Sequence, residues 1–200
     1  MTDRRRRGRR TSQKVRALLA AGVVVGIGAA STLAAWTDNE SVSANLISGT
    51  FGIVGSVDGT TFADHPAEGP AQLAFNVSAT ALVPGSVVYA AFSVRTTAGS
   101  AAGAASLAAD AANGSGLGAY LRYGVSSTDG TCTQAAFDGG TVLVPRGSAL
   151  AAAPAASQNL DANGGSTITY CFEITLPADA SNDAQGLTVV PRWTVNAQNT

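Results

Sequence analysis

Two cysteines, one histidine and a handful of carboxylates are the residues here whose types could do chemistry. Cys132 and Cys171 are the only cysteines. In an oxidising compartment they would form a disulfide, which contributes about 3–4 kcal/mol on the chain-entropy account; in a reducing one they would stay free thiols. With His65 as the only histidine, they do not supply the ligands of a tetrahedral metal site. His65 lies in "FADHPAEG" beside a proline, which reads as a surface loop, and no serine stands in a Gly-x-Ser-x-Gly elbow. Asp38 and Glu40 lie near Trp36, but paired-carboxylate chemistry needs a fixed separation across a cleft. Asp58, Asp129 and Asp138 each precede a glycine, a pattern of turns and not of the twelve-residue calcium loop. These residues make no catalytic set and call for no cofactor.

The start of the chain decides the compartment. Eight of the twelve basic residues fall between Arg4 and Arg16, and an apolar run follows from Ala17 to Leu33. A basic head, a short apolar core and then small residues form a secretion signal. The run is near the lower limit of roughly 17 residues for a spanning helix. Thr32 and Ala34 suit cleavage after Ala34, and a cut after Ala35, just before Trp36, fits as well; an uncleaved anchor is the alternative. Arg9-Arg10 raises twin-arginine export, but no apolar pair follows. Gly26 and Gly28 echo a dinucleotide fingerprint without its strand or acidic partner. Residues 1–34 are thus expected to be a signal peptide and 35–200 a secreted domain. From Ala35 onward twelve acidic residues face four arginines, a formal charge of −8. Such a surface disfavours nucleic acid, and membrane contact is expected only before processing.

The elements that must hold these residues are strands. Apolar residues alternate at Ala71–Val77, Val88–Val94, Leu121–Val125 and Ile168–Leu176. Leu187, Val189, Trp193 and Val195 share one parity around Pro191, which marks an edge or a bulge. Asp58-Gly59, Pro84-Gly85, Asp129-Gly130 and Asn163-Gly164 are turn signals between the runs. The expected fold is all-β, an antiparallel sandwich preceded by an N-terminal signal helix. Cys171 lies opposite in parity to Tyr170 and Phe172, so it should face away from the core and staple the "STDGTCTQ" loop over one sheet. "AAGAASLAADAANGSG" reads as a short helix near Ala104–Ala112 or as a flexible loop. "SALAAAPAASQNLDANGG" reads as a long surface loop.

Ala35-Trp36-Thr37-Asp38, the run Leu46–Val54 with Gly49 and Phe51, the turn Leu82-Val83-Pro84-Gly85 and the closing "VVPRWTVNAQ" carry a resemblance. The chain resembles actinobacterial exported proteins with an alternate signal sequence, and through them the TasA/camelysin group. The resemblance implies processing by a SipW-type signal peptidase, a jelly-roll-like sandwich and a place in surface or biofilm-matrix fibres. The metalloprotease activity ascribed to some relatives has no His-Glu-x-x-His to stand on here.

Two functions are compatible with these readings. One is an exported, non-enzymatic surface or matrix protein that forms homo-oligomers or fibres. The other is a monomeric binding module for a wall polymer or host protein. In the first, the segment Trp36–Val57, with Leu46, Phe51 and Ile53, adds as a strand to a neighbour's open edge; alternatively it completes its own sheet. N-terminal sequencing of exported protein is expected to begin at Ala35 or Trp36. Met1 still attached in culture supernatant would contradict the signal reading.

Overall fold

The computed structural model describes residues 11–22, 39–45, 48–76, 81–154 and 156–200. Thr32, Ala34, Ala35, Trp36 and Leu46 lie outside the described residues. Two compact units divide at Leu46/Ile47. In the first, residues 11–22 form a helix (α1) exposed along its whole length. No described helix is long and apolar enough to cross a membrane.

The second unit is an all-β sandwich. Its strands are β1 (Ile53–Ser56), β2 (Val87–Thr96), β3 (Gly103–Ala109), β4 (Arg122–Thr128), β5 (Thr141–Ala149), β6 (Gln158–Leu160), β7 (Ile168–Thr175) and β8 (Trp193–Asn199). One sheet has the order β1-β2-β7-β4-β5 and the other β6-β3-β8, with antiparallel neighbours throughout. The chain crosses between sheets at β2–β3, β3–β4, β5–β6, β6–β7 and β7–β8. This is the antiparallel sandwich that the spacing of strands and turns led one to expect.

The alternating residues do what period two requires. Val88, Val94, Tyr123, Val125, Tyr170, Phe172 and Ile174 point from the larger sheet onto Ala105, Leu107 and Leu160 of the smaller. Turn glycines take the left-handed backbone where the sequence marked them: Gly59 (φ 71°), Gly85 (φ 90°) and Gly130 (φ 101°).

Three expectations need correction. Gly103–Ala109 is neither helix nor loop but the middle strand of the smaller sheet. Its alanines favour a helix in isolation, yet here small side chains let the strand sit close under its neighbours. A Cβ on Gly103 would lie 2.4 Å from the Gln198 carbonyl oxygen and 2.5 Å from the Phe51 ring. The stretch 148–165 is also not all loop, since β6 forms within it and Leu160 is buried. Conversely, residues 71–76 belong to no strand. Their faces still alternate, with Ala71, Leu73 and Phe75 half-buried and Gln72, Ala74 and Asn76 exposed. Asn76 bonds to Tyr89 through both its backbone N–H and its side-chain oxygen, each at 2.9 Å. One strand, β5, carries Pro145 and Gly147 and has no counterpart among the sequence expectations.

The close approach at Gly103 gives a stability prediction. Gly103→Ala is expected to cost about 1–3 kcal/mol by overpacking, read as a lower denaturant midpoint with an unchanged slope.

Candidate functional site

Two places in the sandwich gather side chains that could serve a function. The first lies on the outer face of the larger sheet. A short helix α2 (Gln134–Gly139) is held over β7 by the Cys132–Cys171 disulfide, whose Cα atoms are 5.1 Å apart. Thr133 caps α2 by accepting from the Ala136 N–H. Cys171 is fully buried and shares a small apolar cluster with Tyr89 and Phe137. It therefore faces away from the main core, as its parity requires. Gly124 makes room for this arrangement: a Cβ there would stand 2.9 Å from the Phe137 ring.

A chain of charged and polar groups closes over the cluster. Glu173 on β7 is almost fully buried. It accepts from the Tyr89 hydroxyl at 2.8 Å and from Arg146 Nε at 2.6 Å. Arg146, on β5, also pairs with Asp138 on α2, and its guanidinium sits 4.3 Å above the Phe137 ring. Burial alone would pull the Arg146 guanidinium down, but Asp138 and Glu173 outweigh it and hold it above its usual range. Burial, then the Glu173 hydrogen bond and charge, push the Tyr89 phenol up to about 12. Each charge is matched by a partner. The cluster is thus arranged as a strut between α2, β5, β7 and β2 and offers no unengaged acid or base.

One residue type in the sequence points to this cluster. Glu173 is the only charge in the alternating run Ile168–Leu176, and a carboxylate on a strand with both faces covered needs a cationic partner.

The second place is the open side of the sandwich. A cleft of about 710 Å³ runs between β1, the segment around 64–75 and the start of β8. Leu73, Phe75, Phe92, Phe172, Trp193 and Val195 give it an apolar wall. Trp193 packs against Phe172, with ring centroids 4.9 Å apart, and against Tyr123 at 5.8 Å. His65 lines the cleft, exposed, with its ring 6.3 Å from that of Phe92. Deeper in the core, the Tyr170 hydroxyl is buried with no hydrogen-bond partner among the described residues, and burial pushes it up to about 12.

The edge of β8 borders this cleft. Arg192 accepts from the Asp110 N–H at 3.1 Å, and Thr200 donates to the Ala102 carbonyl at 3.4 Å. In the antiparallel register with β3, the even-numbered residues of β8 therefore bond inward to β3. The N–H and C=O groups of Trp193, Val195, Ala197 and Asn199 point outward. Among the described residues, none of those outward groups has a backbone partner.

The remaining candidates fall elsewhere. Asp58 accepts from the Ser56 hydroxyl at 2.7 Å and from the N–H groups of Thr60 and Thr61, at 2.8 and 2.7 Å. The Thr61 N–H, then the Ser56 hydroxyl, hold its carboxyl well below the usual range, so it closes a turn. No group of three potential metal ligands occurs among the described residues. Ile53 pairs with Thr96 of the same chain and packs against the core. Phe51 lies against Gly103. Within one chain, then, the later part of Trp36–Val57 completes its own sheet. Comparison with family models finds no match, and comparison with curated proteins finds none either.

The raised phenols give a pH prediction. A folded-state pKa near 12 against an ordinary 10 means the unfolded chain loses its proton first. The stabilising effect is whole below pH 10 and declines as pH rises from about 10 to 12. Phenolate absorbance of the folded protein is expected to keep rising toward pH 12, and Tyr89→Phe to remove part of that late rise.

Proposed function

We propose that this chain is an exported, non-enzymatic surface or extracellular-matrix structural protein whose sandwich domains associate with one another. The observation that carries this reading is the open side of the sandwich, where an apolar cleft adjoins a strand edge without backbone partners among the described residues. Exposed strand edges are templates for pairing with another chain, and apolar surface beside one adds burial to the backbone hydrogen bonds. Export is supported by the basic head and apolar run of residues 4–33, and by a disulfide that persists in an oxidising compartment. The engaged state of Glu173, Arg146 and Asp138 supports a structural use for the strongest charge cluster. In this reading a SipW-type peptidase, as in the TasA/camelysin group, removes the signal, and the domain then works outside the membrane.

A second reading is favoured by the aromatic wall of the cleft. Phe75, Phe92 and Trp193 suit a monomeric binding module for a wall polymer or a host protein.

Light scattering coupled to size-exclusion chromatography separates the two. The domain from residue 35 is expected to gain mass as concentration rises, and more so at higher salt, which screens its net charge of −8. A constant monomer mass at every concentration and ionic strength would overturn the structural reading and leave the binding module.

A further inference from the structure

We propose that two copies of the chain pair through β8, antiparallel and about a two-fold axis at Asn196, so that two three-stranded sheets become one of six strands. This rests on the self-association proposed above and names its contact.

The edges of the two sheets differ in how they are guarded. β5 is long, but it contains Pro145, Arg146 and Gly147 (φ 79°), and its register with β4 shifts twice. β6 has three residues and β1 four, and Gly55 of β1 already bonds to Ala63 on its outer side. β8 has seven residues, "WTVNAQN", with no charge and no proline. Charged residues, proline, bulges and shortness are the usual means of keeping an edge from pairing. Among the described strands, β8 is the edge that uses none of them.

Its outward groups are also self-complementary. Trp193, Val195, Ala197 and Asn199 present N–H and C=O on the free side, as the bonds to β3 dictate. An axis at Asn196 sets Val195 opposite Ala197 of the second copy, and Trp193 opposite Asn199. Every outward-facing residue then meets another outward-facing residue and exchanges both hydrogen bonds. An axis at Val195 or Ala197 would leave the last outward residue at one end unmatched.

Side chains agree with that register. On the exposed face Thr194 meets Gln198 of the second copy, and Asn196 meets its own counterpart. These are neutral hydrogen-bonding pairs. On the inner face the half-buried Val195 and Ala197 cover each other. No like charges are brought face to face within the strand, which matters for a domain of net charge −8. The cleft beside Trp193–Val195 leaves space for the far end of the incoming strand.

The test uses Asn196→Cys. In a non-hydrogen-bonded antiparallel pair the two Cα atoms lie about 4.5 Å apart, within disulfide range. Oxidation of N196C is expected to give a covalent dimer, while Thr194→Cys, about four residues out of register with its own counterpart, gives none. Ala197→Pro removes an outward N–H without touching the bonds to β3. It is expected to raise the dimer dissociation constant at least about tenfold, with circular dichroism unchanged. If Ala197→Pro disturbs the fold, the cysteine pair decides alone. Wild-type protein that associates while N196C fails to cross-link overturns this contact and leaves the self-association reading standing. Association abolished by deleting residues 39–49 with N196C inert would place the joint in that segment. Wild-type protein that never associates overturns both.

Discussion

The central strand β7 has to be covered on both faces. All of its residues from Ile168 to Ile174 are buried, so a single layer on one side would leave half of them wet. One face is met by the smaller sheet, which lays Ala105, Leu107 and Leu160 over Tyr170, Phe172 and Ile174. Over the other, no third sheet lies among the described residues. That face is met by a six-residue helix, too short to hold itself in place, and so the Cys132–Cys171 bond and the Arg146 pairs with Asp138 and Glu173 fasten it there. Removing Arg146 would leave Glu173 charged and buried without its cation, a change that costs more than the pair contributes.

The same constraint explains the polar cross-strand pairs. Ser93 and Thr169 face each other in register, both buried, and bond at 2.8 Å. On an open sheet face these positions would hold longer polar side chains reaching water. Here the space is limited, and short hydroxyls that satisfy each other fit it.

Much of this was legible in the sequence, and the parts that were not share a cause. β2, β4 and β7 stood out because bulky apolar residues alternate with smaller or polar ones. The parity of Cys171 told which face the disulfide covers. β3 was illegible because its side chains are small: the pattern Gly-Ala-Ala-Ser-Leu-Ala-Ala carries little amplitude, and only its place between β6 and β8 makes it a strand. β5 was hidden by Pro145 and Gly147, which an edge strand tolerates and a central one does not. For residues 71–76 the alternation told the buried face correctly, but a period of two reports which side is apolar, not whether a neighbouring strand is present. The cleft and the outward groups of β8 were out of reach for the same reason. They depend on which strands end a sheet, a property of topology that no local window contains.

The disulfide has a mechanical consequence as well. Cys132 and Cys171 are 39 positions apart in the chain, and α2, β5 and β6 lie between them. When the domain is stretched along its backbone, the sulfur–sulfur link transmits the tension directly from the loop after β4 to the middle of β7. The intervening residues add nothing to the extended length, because they form a closed loop off the line of force. A pull on the N-terminal side meets a different geometry, since β1 joins its sheet by only four register pairs at an edge and can be peeled away one pair at a time. The domain is thus built to yield first at β1 while the covalent loop keeps about a fifth of the chain from unravelling at all.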